Sequence, residues 1–346
     1  MRVLMATSSS DIAPGGHRVQ RAETARALRA IGVHVSETTE LLPSLAAVDV
    51  VHGWWPDLQT VRMARQCGVP VVLSTIYWPS DRSVPSRWSK RLRLAAALAW
   101  RALRGQQAQA ARGLLSSSIA LSLLCESSDL LLPNSRPEVE HLALDLGVST
   151  PWRVIPNAAD PELFSNEGAP QWELRSGVVY AGRIEPHKNT LALIRAMRQV
   201  GLDLTVVGDP HPHHEAYALR CRRAAGPRTE FLPAQPPEVL ADLLRQARVH
   251  VLPSWYETTG LVSLEAALCG CNVVSTSLGH AAEYLQTDAW YCHPADERSI
   301  RASVLDAHAA EPRIELAYRI RERFTWEHTA AATLSAYEEV LGSRRS

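Results

Sequence analysis

Residues 177–209 read GVVYAGRIEPHKNTLALIRAMRQVGLDLTVVGD. A β-branched run, GVVYAGR, reaches Gly182. A polar loop then carries Arg183 and Lys188, 189–199 reads as a helix, and LDLTVVGD is a second strand. Strand, loop, helix and strand in that order form the unit of a parallel α/β sheet. Toward the C-terminus the alternation continues. TEFLPA, VHVLPS and NVVSTS are short strands, 213–224, 236–247 and 259–270 are helices, and 314–343 is a helical tail. Toward the N-terminus, SNEGAPQWELRS (165–176) is polar and reads as a linker. Before it stand the strands RVLMA, VHVSE, DVVHG and PVVLST. Helices are read at 17–31 and 57–67, and strand-and-turn units at 127–135 and 152–157. In helix 17–31, Val19, Ala22, Ala25, Leu28 and Ile31 recur at helical spacing.

The expected architecture is therefore α/β, with two Rossmann-like doubly wound domains facing across a cleft. The boundaries read are 1–165 and 166–326, with a last helix at about 327–346. In such sheets ligands sit beyond the carboxyl ends of the strands, so the loops there carry the functional candidates.

Composition narrows the field. The 346 residues are 46% hydrophobic and 21% charged, with 36 basic and 36 acidic side chains. That is an ordinary globular chain with no charge bias toward nucleic acid. The six cysteines show neither C-x-x-C nor zinc spacing. The opening MRVLMATSSSDIAPGG lacks a signal-peptide pattern and no run of 18 apolar residues occurs, so a reducing cytoplasm is the expected location. Lysine is scarce: only Lys90 and Lys188, against 34 arginines.

Several loops fit an anionic ligand. Gly15 and Gly16 follow the first strand and open a helix, where backbone can approach an anion. Arg183 and Lys188 follow a strand, and a planar fork with a compact ammonium suits a diphosphate. In PSWYETTGLVSLEAALCG (253–270), Glu257 lies in a loop and Glu265 eight residues on, in a helix. Thr259 is read as its N-cap and Gly260 as its first residue, so the N–H groups of Gly260, Leu261 and Val262 would face an anion. Glu265 would accept hydrogen bonds from vicinal hydroxyls. His17, His52 and His187 lie on loops or strand ends. His211, His213 and His214 cluster without a metal partner at sequence spacing, and no D-x-D, G-x-S-x-G or P-loop occurs. Residues 82–112 hold eight basic side chains and no acid. They read either as a basic amphipathic helix on an anionic membrane or as a surface helix docked on its own domain.

Taken together, the loops resemble glycosyltransferase family 4, retaining enzymes of the GT-B fold. The likeness runs through Gly15-Gly16, VIPNAADPELF (154–164), YAGRIEPHKN (180–189), VVGD (206–209), the pair Glu257 and Glu265, and FTWEHTAAATLSAYEEVL (324–341). The resemblance implies a hexose moved from a UDP- or GDP-sugar to a glycan or lipid-linked acceptor, with no metal and no cofactor beyond the donor. Arg183 and Lys188 would hold the diphosphate, Glu257 the sugar and Glu265 the ribose. Gly15, Gly16, Gly182, Gly208, Thr259, Gly260, Leu261 and Val262 would complete the donor site, and the last helix would cross back to the first domain. The cytoplasmic, peripheral membrane setting and polysaccharide biosynthesis belong to the same expectation, with nucleic acid excluded as a partner.

The sequence departs from the family at three places. Ile76 stands where many relatives keep a histidine, leaving His52, Tyr77 and Asp81 as acceptor-side candidates. Asn157-Ala158-Ala159-Asp160 replaces N-G-x-D, and Thr258-Thr259 replaces Gly-Phe. A nucleotide-sugar epimerase, a phosphorylase and a sugar-nucleotide binding protein without turnover are the rival readings.

Overall fold

The computed structural model describes residues 1–8, 15–77, 117–198 and 200–343. Asp81 and the basic stretch 82–112 lie outside them. The chain divides into two compact units, one of Met1–Ile12, Thr24–Pro156 and Ala330–Ser346, the other of Ala13–Glu23 and Asn157–Thr329.

The first unit holds a five-stranded parallel sheet of β1 (Arg2–Thr7), β2 (His34–Thr38), β3 (Val50–Trp54), β4 (Val71–Ser74) and β5 (Leu130–Leu132). Their order is β2-β1-β3-β4-β5. The runs VVHGW, VVLS and LLL are buried along their whole length, as strands covered on both faces must be. Edge strand β2, HVSET, is largely exposed and polar. Leu4, Val51, Leu73 and Leu131 pack with Val61, Leu121 and Leu142 from the flanking helices.

The second unit holds six parallel strands: β6 (Val178–Ala181), β7 (Leu204–Val207), β8 (Thr229–Leu232), β9 (Val249–Leu252), β10 (Asn272–Thr276) and β11 (Trp290–Cys292). Their order is β11-β10-β9-β6-β7-β8, the doubly wound order that reverses between β6 and β9. Side chains of β6 alternate between two cores, as the two-residue strand period demands. Val179 and Ala181 join Leu264, Leu268 and Tyr284. Val178 and Tyr180 join Ile194, Val206 and Ile300. Each aliphatic side chain so buried contributes about 1.5–3 kcal/mol.

Some expectations are corrected. Residues 152–157 form no strand; Trp152 makes an isolated bridge with Leu131. The tail is two helices, Ile314–Arg323 and Trp326–Gly342. It breaks where the Phe324 carbonyl turns to accept the Ala159 amide at 3.0 Å. Strand β11 and helix Glu297–Ala309 were not read from sequence. The segment read as a linker is docked: buried Arg175 donates to the carbonyls of Pro170 (3.2 Å) and Cys269 (2.9 Å) and to Asn166 Oδ1. Residues 157–165 pack with the second unit, where Ala159 and Phe164 enter its core.

Candidate functional site

The reversal point of the second sheet brings the loops after β6 and β9 together beyond their carboxyl ends, the place where such sheets bind ligands. Two contacts clip these loops to one another. Trp255 N donates to the His187 carbonyl at 2.9 Å. Asn189 donates through Nδ2 to the carbonyls of Pro253 (3.1 Å) and Pro294 (2.8 Å). Asn189 does this from a left-handed backbone, φ 58°, a conformation asparagine tolerates better than most residues.

Between the clipped loops, Lys188 Nζ lies 2.7 Å from Glu257 Oε2, which also accepts from Ser254 Oγ at 2.9 Å. Burial alone pushes the Glu257 carboxyl up. The Lys188 charge and hydrogen bond, with Ser254 and His187, outweigh it and hold the group below the usual carboxylate range. Arg183 pairs with buried Glu185 at 3.0 Å. Its carbonyl accepts from the buried Tyr180 hydroxyl at 2.7 Å, which fixes the start of the loop. Gly15 counts with this unit and runs beside the guanidinium: a Cβ there would sit 3.8 Å from Arg183 Cζ. A Cβ on Gly16 would meet Leu261 Cδ1 at 3.5 Å. Six of the expected donor residues thus stand in three pairs: Lys188 with Glu257, Gly15 with Arg183, and Gly16 with Leu261.

The helix start differs from the sequence reading. The helix spans Leu261–Leu268, and Gly260, at φ 73°, is its cap rather than its first residue. Thr259 does not cap it; its hydroxyl accepts from Asn157 Nδ2 at 3.2 Å. Among the described residues the N–H groups of Leu261 and Val262 find no acceptor, so the helix tip retains its donors. Glu265 is half-buried on this helix, and burial pushes its carboxyl up to about 7.

Two glycines act on backbone rather than on ligand. A Cβ on Gly208 (φ 144°) would lie 2.1 Å from the Gly182 carbonyl oxygen, so the ends of β6 and β7 close up only with glycine there. The sequence named Gly182 and Gly208 as donor contacts; the structure gives Gly208 this packing role. Gly279 was not singled out at all. A Cβ on it would lie 2.2 Å from the Glu257 carbonyl oxygen, which accepts from His280 N at 2.7 Å. The loop after β10 thereby fixes the Glu257 backbone. Ala158 and Ala159 are not among the positive-φ residues, so alanine costs the NAAD turn nothing.

In the first unit, His52 is a core residue. Its Nδ1 lies 2.7 Å from Tyr337 Oη and its Nε2 2.9 Å from Ser74 Oγ, and burial lowers its pKa to about 3. It stays neutral with both nitrogens engaged, which leaves it nothing to offer an acceptor. Tyr77 is buried too, its hydroxyl donating to Asp145 Oδ2 at 3.1 Å. Between His52's neighbour Ser74 and Tyr77 lies Ile76, a β-branched residue at φ 41°, a strained conformation. Buried Glu138 holds the bend, accepting from Thr75 Oγ1 and from Tyr77 N (2.8 Å) with one oxygen and from Asn134 N (2.9 Å) with the other. Sequence reasoning gave no signal for Glu138, and the helix that carries it, Arg136–Leu146, was not read either. The histidines at 211 and 214, without a partner at sequence spacing, do meet a carboxylate, Glu185, from another loop.

Known proteins resemble this chain in sequence and in fold. Residues 175–309 match the family described as Glycosyl transferases group 1. The chain is 30% identical over 247 residues to a D-inositol 3-phosphate glycosyltransferase of Segniliparus rotundus, covering 63% of this chain and 54% of that one. Against the protein of the same name from Rhodococcus erythropolis it is 33% identical over 180 residues, covering 47% and 41%. The chain thus spans about half the length of the curated relatives it matches. Sucrose-phosphate synthase of Thermosynechococcus elongatus matches with a TM-score of 0.73 at 18% identity, covering 99% of this chain and 100% of that one. Anabaena HepE, in complex with UDP and glucose, matches at 0.69 and 16%, covering 97% and 99%. With domain match and fold in agreement, the chain has the GT-B fold of these solved structures, and its residues 175–309 are similar to a glycosyl transferases group 1 domain.

Proposed function

We infer that this chain moves a hexose from a nucleotide-diphosphate sugar to a glycan or lipid-linked acceptor, with retention at the transferred carbon. The observation that carries this reading is that the two loops beyond the reversal point of the second sheet hold two cation–carboxylate pairs, Arg183 with Glu185 and Lys188 with Glu257, and a helix tip with free N–H groups. HepE binding UDP and glucose on the same fold adds support.

Cleaving a glycosyl–phosphate bond builds negative charge on the departing diphosphate. Arg183, Lys188 and the Leu261 and Val262 amides, already in place, stabilise that charge most in the transition state. Lys188 and Ser254 occupy Oε2 of Glu257, which leaves Oε1 to orient a sugar hydroxyl. Glu265, once ionised, accepts the ribose hydroxyls. The sequence has no D-x-D pair to clamp a metal on the diphosphate, so these groups neutralise it themselves.

A nucleoside diphosphate should raise the melting temperature of the wild type. Lys188→Ala should show no such rise, from a lower starting point because Glu257 loses its buried partner. Absence of a rise with every nucleoside diphosphate would defeat the reading. A second reading, a sugar-nucleotide binder without turnover, draws on Ile76 in place of a histidine and on the engaged ring of His52. It expects the same thermal rise with neither transfer nor donor hydrolysis.

A further inference from the structure

The loops after β6 and β7 continue side by side past the end of the sheet. Ile184 N donates to the Asp209 carbonyl at 3.0 Å, His211 N donates to the Ile184 carbonyl at 3.3 Å, and an extra parallel bridge joins Ile184 to Pro210. This register sets Glu185 beside His211. His214 N then donates to the His211 carbonyl at 2.8 Å, folding a turn that brings the two imidazole centroids to 5.1 Å. One ligand atom each from Glu185, His211 and His214 lies within 4.8 Å of the others. Glu185 is buried and both rings are half-buried, so the carboxylate is fixed and the imidazoles can adjust.

We propose that Glu185, His211 and His214 form a binding site for a first-row transition dication such as Zn²⁺, Co²⁺ or Ni²⁺. Two imidazoles and one carboxylate suit these ions, whereas Mg²⁺ and Ca²⁺ favour all-oxygen sites. Ligands held about 2.0–2.1 Å from a tetrahedral ion stand roughly 3.4 Å apart, so atoms now within 4.8 Å of one another close by at most about 1.4 Å on binding. Three protein ligands leave a position open for water or an anion.

Loading the site alters two contacts. His213 N donates to His211 Nδ1 at 3.2 Å. That bond is lost whether Nδ1 becomes the ligand or takes the proton while Nε2 binds. Arg183 Nη2 lies 3.0 Å from Glu185 Oε1. The carboxylate has a second oxygen, so ion and guanidinium share it, and loading weakens the Arg183 pair by drawing off carboxylate charge.

The test is a Zn²⁺ titration against a chromophoric chelator in a Cys67→Ser background, because the exposed Cys67 thiol would itself hold zinc. No nucleotide is present, so the outcome is independent of the transfer reading. One ion per chain is expected. His211→Ala, His214→Ala and Glu185→Gln should each weaken binding about tenfold or more. His213→Ala, whose ring lies 5.5 Å from His211 but outside the triad, should leave affinity within about threefold of the wild type. Far-ultraviolet circular dichroism checks each fold, and His214→Asn replaces any variant that fails that check. Saturable binding unchanged in all the triad variants, no saturable binding in the wild type, or equal competition by Mg²⁺ would overturn the proposal.

Discussion

Glu265 shows how much one side chain's surroundings decide. Burial raises its carboxyl from the ordinary 4.5 to about 7, above its unfolded value. The folded state therefore holds that proton more tightly than the unfolded chain does. The group's contribution to stability is fullest below about 4.5 and falls away as pH rises through about 7. In the proposed donor site ligand binding runs the other way, since ribose hydroxyls would donate to the ionised form. Nucleoside diphosphate affinity should rise with pH through about 7 and Glu265→Gln should flatten that profile, as isothermal titration across the range would register. A parallel rise in the variant would take Glu265 out of the site. At this scale the sequence was informative where a residue's chemistry speaks for itself: Arg183, Lys188 and Glu257 were singled out from charge and position, and the structure pairs Lys188 with Glu257. Glu185, Asn189, Glu138 and Gly279 were missed because their roles arise from contacts between distant loops, which spacing along the chain does not encode. His52 misled in the opposite sense, since its burial and partners are invisible in a strand of VVHG.

Among elements, the strands were the most readable, because buried parallel strands are runs of Val, Leu and Ile that little else imitates. Short or mixed elements escaped. Strand β11 is only WYC, and WRVIPN carries apolar residues without making a strand. The cap of helix Leu261–Leu268 was placed one residue early because Thr259 resembles a cap; its hydroxyl is engaged by Asn157 instead. The loop after β10 illustrates support from outside the site. Gly279→Ala would drive a methyl into the Glu257 carbonyl, where a Cβ has 2.2 Å. It should lower stability by about 2 kcal/mol or more in urea unfolding, as a strained close approach does, and should lower the affinity for a nucleotide sugar as well. A variant with wild-type stability and binding would show that the loop merely passes by.

For the molecule as a whole, the last helix, Trp326–Gly342, ends in the first unit, where Tyr337 meets a histidine 285 positions earlier in the chain. Arg153 and Glu339 add an ion pair at 2.7 Å. Tyr337→Phe leaves a buried His52 nitrogen without its partner and should cost about 1–3 kcal/mol by equilibrium unfolding. A neutral result would mean that water or a ring flip replaces the bond. No described helix is long and apolar enough to cross a membrane.

Each cation of the proposed diphosphate site already rests on a carboxylate of its own, Arg183 on Glu185 and Lys188 on Glu257. The resting pocket is therefore electrically quiet and exerts little long-range pull on passing anions. An incoming group must supply enough charge to compete with two tethered rivals at once. A sugar nucleotide brings a base, a ribose and a hexose whose contacts would offset that cost, whereas a bare orthophosphate of similar charge brings none. Self-neutralisation would therefore favour the larger ligand.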